Sequence, residues 1–287
     1  MDKLNSNHDQ ESTNDSTVPK VSVLMSVYNG ASYLRQSVQS ILDQTFLDFE
    51  FIIVNDGSTD NTQEILESVS DPRVQVLMQP NTGLTKALNR GLKLCRGEFI
   101  ARMDADDLSM PERLERQLIF FDKHPEVGMV GTAYFEIDDN GRVLSEKACL
   151  LEDNQLRKVL IKYNPFCHTS TMIRKSVLSR VGFYDESFPY AQDYELWFRI
   201  AKHYKLANLP QFLTKNRIRD DNISFAFESQ QLKYAIKARR KEIQSRHYPI
   251  YLYYYLLWPL IVMNVPASLR TWIRRNIIRK SRKRNRS

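Results

Sequence analysis

Phe49-Glu50-Phe51-Ile52-Ile53-Val54-Asn55, followed by Asp56-Gly57-Ser58-Thr59-Asp60, is the stretch on which the fold turns. A short apolar run stopped by Asp-Gly-Ser reads as a buried strand entering a turn. Thr59 to Val69 then places Ile65, Leu66 and Val69 on one side, as a helix would. Upstream, Val21 to Val27 ends at Tyr28-Asn29-Gly30, and Ala31 to Gln44 carries Leu34, Val38, Ile41 and Leu42 at helical spacing. Downstream, Val74 to Met78 reads as a third strand, Leu84 to Cys95 as a third helix, and Glu98 to Met103 as a fourth strand ending in Asp104-Ala105-Asp106-Asp107. Strands alternating with helices predict an α/β fold, a mainly parallel sheet with helices on both faces. Ligands in such sheets sit beyond the carboxyl ends of the strands, where these polar clusters fall.

Farther along, Pro111 opens a helix to about His124, with Arg113 and Arg116 expected on its surface. Val127 to Phe135 reads as a strand, and Asp138-Asp139-Asn140-Gly141 is a hairpin turn leading to Val143 and Leu144. The βα rhythm then loosens. A helix is expected over Glu152 to Lys162, a short strand over Ser170 to Ile173, and a helix over Ala191 to His203 with Leu196, Trp197 and Ile200 facing inward. Phe227 to His247 reads as a long charged helix.

The 287 residues are 42% hydrophobic, enough for a sizeable core, which excludes a wholly disordered chain. With 9 Gly, 11 Pro and 3 Cys, collagen-like, low-complexity and disulfide-scaffold classes are also excluded. Cys95, Cys149 and Cys167 lack CxxC spacing, which argues against a zinc site, fits a reducing compartment and marks them as core residues. The net charge of +7 resides in a tail: nine Lys or Arg and no acid lie between Arg270 and Ser287, leaving 32 basic against 34 acidic groups before it. A uniformly basic nucleic-acid-binding domain is a poor reading of that distribution, and no nucleic-acid partner is expected. Residues 1–18 are polar and lack the apolar segment of a signal peptide, so they read as a disordered leader. Between Tyr248 and Val265 eighteen residues carry no charge, six of them Tyr or Trp, interrupted by Pro249 and Pro259. That length and those prolines suit an interfacial segment better than a spanning helix, and the basic tail suits an anionic lipid surface. A helix packed on the domain is the other reading.

Three carboxylates within Asp104-Ala105-Asp106-Asp107 repel one another unless a cation or several donors offset them. Hard oxygen ligands suit Mg²⁺ or Mn²⁺. A solvated acidic turn before Pro111 is equally compatible. In Asp56-Gly57-Ser58-Thr59-Asp60, glycine allows close backbone approach and Asp56 accepts from a donor such as an imide N–H, although an ordinary strand-to-helix turn uses the same letters. Asn81-Thr82-Gly83-Leu84 leads into a helix carrying Lys86 and Arg90 four residues apart, cations suited to a diphosphate or simply a solvated face. Gln192-Asp193-Tyr194-Glu195-Leu196-Trp197 puts two carboxylates at a helix start, with only one of them facing the site and the other exposed. His168, beside Cys167, either lines a cleft or is a structural hydrogen-bonded residue.

DGSTD at a strand end, DADD 48 positions after Asp56 and QDYELW 89 positions after Asp104 together resemble the family 2 glycosyltransferases of the GT-A fold. Ser26-Val27-Tyr28-Asn29-Gly30 resembles the family's first nucleotide loop, and Asn81-x-Gly83-Leu84 with Ala87-x-Asn89-x-Gly91 its third. The resemblance covers roughly residues 20 to 225. It implies a Rossmann-like GT-A domain over 19–225, with a nucleotide-sugar half at 19–135 and an acceptor half at 136–225, followed by a helical, aromatic and basic extension over 226–287.

By that resemblance Ser26, Tyr28, Asn29, Asp56, Ser58, Asn81, Gly83, Lys86, Asp104, Ala105 and Asp106 bind the donor. Asp56 contacts the base, Tyr28 stacks near it, and Asp104 with Asp106 addresses the ribose and the metal-bound diphosphate, Asp106 holding Mn²⁺ or Mg²⁺. Asp193 matches the acidic residue of the ED motif, the general base, with Gln192 in place of the usual Glu. Arg217 and Arg219, before Asn222-Ile223-Ser224, match a basic stretch near the diphosphate. The implied reaction moves a sugar, most readily from a UDP-sugar, to an acceptor hydroxyl with inversion. A glycan or lipid-linked acceptor at the cytoplasmic face of a membrane suits the C-terminal segment. A nucleotidyltransferase would need a Gly-rich basic first loop, and Ser26 to Gly30 has one glycine and no Lys. A non-catalytic binder would act through the basic tail alone.

Overall fold

The structure, a computed structural model, describes residues 18–218 and 228–264. All but the last residue of the expected leader, Arg219 with Asn222-Ile223-Ser224, and the basic tail lie outside them.

Four parallel strands, β1 (Val21–Val27), β2 (Phe49–Asp56), β3 (Val74–Gln79) and β4 (Phe99–Asp104), alternate with helices α1 (Ala31–Leu42), α2 (Thr62–Glu67) and α3 (Leu84–Leu92). Val23 pairs with Phe51 on one side and Ala101 on the other, so β1 lies between β2 and β4. Every residue of β1 and β2 is buried because helices cover both faces. Alternation along the strands divides the core in two. Leu24, Ile52 and Ile100 pack under α3 with Leu88 and Leu92, while Val23, Met25, Phe51 and Ile53 pack against Leu34, Val38 and Ile41 of α1.

The chain continues through β5 (Leu108–Ser109), α4 (Arg113–Lys123), β6 (Val127–Ile137), β7 (Val143–Lys147), α5 (Asp153–Leu160), β8 (Met172–Arg174), α6 (Lys175–Val181), α7 (Gln192–Ala201) and β9 (Lys205–Arg217). The described strands form one sheet of order β3-β2-β1-β4-β8-β6-β9-β5, with β7 on β6. β8 runs antiparallel to β4 and β6, as β5 does to β9 and β7 to β6, while β6 and β9 are parallel, so β1–β4, β6 and β9 all point one way and the sheet is mainly parallel, as expected. Because β2 and β3 lie to one side of β1 and β4 to the other, the order reverses between β1 and β4, and a crevice opens at their carboxyl ends.

Several expectations need correction. The second helix starts at Thr62 rather than Thr59, because Asp60 and Thr62 are engaged with the start of α1: Ala31 N–H donates to Asp60 Oδ2 at 3.1 Å and Gly30 N–H to Thr62 Oγ1 at 2.9 Å. Arg113 is not a surface residue. It is fully buried, donating from Nη2 to the Arg102 carbonyl at 2.8 Å and the Thr171 carbonyl at 3.2 Å, and from Nε to Gln117 Oε1 at 3.2 Å. The strand β9 had no counterpart in the sequence reading, since Pro210 interrupts it. Leu209 pairs with Thr132 and Phe212 with Ala133, so Pro210 and Gln211 occupy a register jump where no ladder donor is needed. Cys95, Cys149 and Cys167 are all free. Burial raises the Cys95 thiol to about 12.

The extension forms α8 (Glu228–Gln244), a 3₁₀ turn (Ile250–Tyr253) and α9 (Tyr254–Asn264). Leu256 is buried, and Tyr248, Leu252 and Tyr255 pack against the α3-side core, while Ile250, Tyr251, Tyr254, Leu257, Leu260 and Ile261 remain exposed. Among the described residues no helix is long and apolar enough to cross a membrane.

Candidate active site

The carboxyl ends of β1, β2 and β4 open into a cleft of about 990 Å³, which also reaches the first turn of α7 and one side of α8. Ser26, Tyr28, Asn29, Asp56, Asn81, Gly83, Lys86, Asp104, Ala105, Asp106 and Asp193 all line it. Among the described residues the structure therefore brings together every proposed site residue but Ser58. That hydroxyl faces the neighbouring loop, where Oγ accepts from Asn29 N–H at 3.0 Å. Asn29, left-handed at φ 51°, returns the contact by accepting from Thr59 N–H at 2.8 Å. Ser58 is thus a brace between the first two loops rather than a lining group.

Asp56 is 2% exposed and heavily engaged. Its Oδ1 accepts from Gln79 Nε2 at 2.6 Å and Thr82 N–H at 2.9 Å, and Oδ2 accepts from Gly83 N–H at 2.8 Å. Gly83, at φ 90°, is the residue before α3, a helix with no side-chain cap of its own. Asp56 therefore holds the third loop and the start of α3 from across the sheet, satisfying amides that a helix start leaves unpaired. Thr82 Oγ1 also lies 3.2 Å from Oδ1, so that oxygen is fully engaged, and only Oδ2, with one donor, keeps a lone pair for a group from the cleft. Lys86 and Arg90 part company: Lys86 is exposed in the cleft, while Arg90 donates to Gln79 Oε1 at 3.2 Å, outside it.

At the end of β4, Asp104 is ion-paired with the buried Arg102, whose Nη1 also donates to the Leu24 carbonyl at 3.2 Å. Asp104 N–H donates to Thr169 Oγ1 at 3.0 Å. Asp107 is 1% exposed and accepts from Arg217 N–H at 2.7 Å and from Asn216 Nδ2 at 3.0 Å, which ties β4 to the end of β9. Burial, with Asp106 and Asp104 nearby, pushes its carboxyl well above the usual range against the pull of those donors. Arg217, which also lines the cleft, is 1% exposed: Nε donates to the Asp106 carbonyl at 2.8 Å and Nη1 to the Asp138 and Asp139 carbonyls at 2.8 and 2.9 Å, with the guanidinium 4.3 Å over the Tyr33 ring. It locks the Asp104–Asp107 turn to the β6–β7 hairpin.

Asp193, half-buried, accepts from Asn164 Nδ2 at 2.8 Å. Glu195 is not exposed, as expected of the second carboxylate, but 2% exposed, paired with Arg199 Nε and Lys241 Nζ, each at 2.8 Å. His168 both lines the cleft and is hydrogen-bonded, Nε2 lying 2.8 Å from Tyr184 Oη. Burial and the Arg102 cation hold it below its ordinary value, so it is neutral at pH 7. Cys167, read as a core residue, also lines the cleft.

Arg102, Asn164 and the α8 residues Gln231 and Arg239 were missed by sequence reasoning. Arg102 interrupts an apolar strand, which is the one signal that would have singled it out. The other three come from loops and an extension with no local motif.

Residues 22–182 match the Glycosyl transferase family 2 profile, more than half of the chain. The amylovoran biosynthesis glycosyltransferase AmsE of Erwinia amylovora is 36% identical over 212 residues, covering 71% of this chain and 78% of AmsE. This chain belongs to glycosyl transferase family 2. Its fold is shared with S. aureus TarS 1-349, crystallised with UDP, at a TM-score of 0.62 and 21% identity over 78% of this chain and 65% of that one. The mannosyltransferase PcManGT of Pyrobaculum calidifontis, solved with GDP-Man and Mn2+, superposes at 0.63 and 19% identity over 88% of this glycosyltransferase and 72% of PcManGT. Family membership sets the nucleotidyltransferase alternative aside. The profile match ends before Asp193, whose place is defined here by the cleft.

Among the described residues no group of three or more His, Cys, Asp or Glu side chains is set to hold an ion. Carboxylates at the end of β4 would supply only part of a coordination shell. That donor set fits a hard divalent cation that keeps its waters and takes further oxygens from a substrate diphosphate.

Proposed function

We propose that the chain transfers a sugar from a nucleotide-diphosphate sugar, a UDP-sugar, to an acceptor hydroxyl with inversion, in the synthesis of a surface polysaccharide or related glycoconjugate. The observation that supports this reading is a single cleft lined by Asp104 and Asp106 from the end of β4 and by Asp193 from the first turn of α7. The role of AmsE in amylovoran biosynthesis favours this pathway class, and the nucleotides bound by TarS (UDP) and PcManGT (GDP-Man) favour a nucleotide-diphosphate donor.

In this reading the loops after β1, β2 and β3 receive the nucleoside: exposed Tyr28 offers a stacking face and Asp56 an acceptor. Lys86 lies at the rim as a counter-charge to phosphate. Asp106 would hold Mn²⁺ or Mg²⁺, which when bound neutralises charge on the departing diphosphate. Asp193 takes the proton from the acceptor hydroxyl as its oxygen attacks the anomeric carbon and the C–O bond to the diphosphate breaks. One in-line displacement inverts the anomeric configuration. The catalytic domain is assigned to 19–225 and the extension to 226–287. The exposed apolar face of Ile250, Tyr251, Tyr254, Leu257, Leu260 and Ile261, followed by the basic tail, suits peripheral contact with an anionic cytoplasmic leaflet, where a glycan or lipid-linked acceptor is found.

Calorimetry with UDP, GDP and dTDP, with and without Mn²⁺, tests the donor side on wild type and Asp106→Ala. Metal-dependent binding of UDP that is lost in the variant is the expected result. Binding of GDP or dTDP instead would reassign the nucleotide, and binding of none would overturn the reading.

A further inference from the structure

The extension helix α8 reaches into the cleft through Gln231, Leu232, Ala235 and Arg239. Three of its side chains grip residues that flank Asp193. Gln231 Oε1 accepts from Ala191 N–H at 3.1 Å, Arg239 Nε donates to Tyr194 Oη at 3.0 Å, and Lys241 Nζ donates to Glu195 Oε1 at 2.8 Å. The first contact falls at a special point. Ala191 is left-handed at φ 53°, a conformation that L residues with a Cβ adopt at a cost and that persists where surroundings enforce it. It is the residue before α7, and that helix has no side-chain cap. The direction in which the first turn of α7 leaves Ala191 sets where Asp193 points.

We infer that Gln231 is a positioning residue: by holding the Ala191 amide it fixes the left-handed hinge that aims the Asp193 carboxylate into the cleft. The extension is thereby a working part of the active site as well as a candidate membrane contact. Arg239 and Lys241 grip side chains farther along the first turns of α7, so they anchor the helix body, whereas Gln231 acts on the backbone of the hinge itself. This inference rests on Asp193 being the base of the proposed transfer.

Donor cleavage by water tests it without knowledge of the acceptor, since water is itself a hydroxyl that Asp193 deprotonates. Nucleotide release is followed for the full chain with Mn²⁺ and whichever of UDP-glucose, UDP-N-acetylglucosamine and GDP-mannose the wild type consumes. Gln231→Ala is expected to lower kcat at least tenfold while the donor KM stays within twofold and the melting temperature is unchanged, because a displaced reacting group costs rate rather than donor affinity. Gln231→Glu keeps an acceptor for the Ala191 amide and restores kcat to within about threefold of wild type by that same logic. Lys233→Ala, an exposed change on the same helix, leaves kcat as it was. Wild-type turnover in Gln231→Ala overturns the inference, as does a loss of kcat that tracks a raised KM or a lowered melting temperature and is not rescued by Glu. Failure of the wild type to cleave any of the three donors would instead overturn transfer from a UDP- or GDP-sugar, and the inference with it.

Discussion

Asn164 Nδ2 donates to Asp193 Oδ2 at 2.8 Å, so the carboxylate at the start of α7 is held by an amide from the loop that follows α5. That hydrogen bond restricts the rotamers open to the carboxylate. Asp193→Asn removes the proposed base and is expected to lower kcat by roughly 10²- to 10⁴-fold, the usual worth of a positioned general base. Asn164→Ala leaves the proposed base in place but unheld and should cost about tenfold, a smaller share of that same effect. Steady-state kinetics checks both, and calorimetry with UDP should show nucleotide affinity unchanged in each.

Gly57 stands at φ 74°, and a Cβ there would lie 2.5 Å from the Asn81 amide nitrogen and 3.1 Å from the Pro80 carbonyl carbon. Both neighbours are backbone, so relief requires the loop after β3 to move. Gly57→Ala is therefore expected to destabilise the fold by about 2 kcal/mol, the scale of an enforced unfavourable backbone conformation. It should also weaken nucleotide binding, because the same loop presents Asn81 and Gly83 to the cleft. Denaturant unfolding and calorimetry read the two effects.

Glu50 is buried at the base of the sheet, where Ser22 Oγ and Arg96 N–H each donate to Oε1 at 2.6 Å and Arg96 Nε to Oε2 at 2.8 Å. Burial opposes ionisation, but the donors and the Arg96 charge outweigh it and hold the carboxyl below its ordinary 4.5. A lowered folded value means the unfolded chain binds the proton more readily. Its stabilisation is present above pH 4.5 and is lost as pH falls through the folded value. Glu50→Gln should lower stability at pH 7 and flatten its dependence below pH 4.5, as measured by urea unfolding across pH.

Tyr251 and Leu257 are 71% and 59% exposed on the apolar face of the extension. Tyr251→Asp with Leu257→Asp puts two charges where lipid contact is proposed. Binding to vesicles containing phosphatidylserine should fall at least about tenfold, since each adverse charge near an anionic surface costs roughly 1 kcal/mol before lost apolar burial is added. Co-sedimentation measures the loss, and donor cleavage in solution should be retained. Unchanged binding would assign the face another role.

The βα alternation from Val21 to Asp104 was legible because strands leave short apolar runs that end in polar turns, and four such runs follow in order, β1, β2 and β4 almost wholly buried and β3 half exposed. The positions proposed for the donor side meet for the same reason: strand ends in a parallel sheet share one rim, so Tyr28, Asp56, Asn81 and Asp104 line one cleft without any long-range information. Strand β9 was hidden by Pro210, which breaks a strand pattern in sequence but is accommodated by the register jump against β6. Arg113 was misread because a cation at the start of a helix ordinarily faces water, whereas here the carbonyls of Arg102 and Thr171 accept its hydrogen bonds.

The sequence by itself determined the α/β class, the order of the first four strands and helices, and the carboxylates at their ends, since periodicity and turn chemistry act within a few residues. Only the tertiary structure decided which charges are solvated and which are partners. Asp56 is turned to the start of α3, Asp107 and Arg217 close the turn after β4, Glu195 is neutralised by Lys241, and Gln231 holds the hinge before Asp193. These pairs join residues 27 to 110 positions apart for Asp56–Gly83 and Asp107–Arg217. A buried polar group must find a donor or acceptor wherever the fold supplies one, and no local pattern records where that will be.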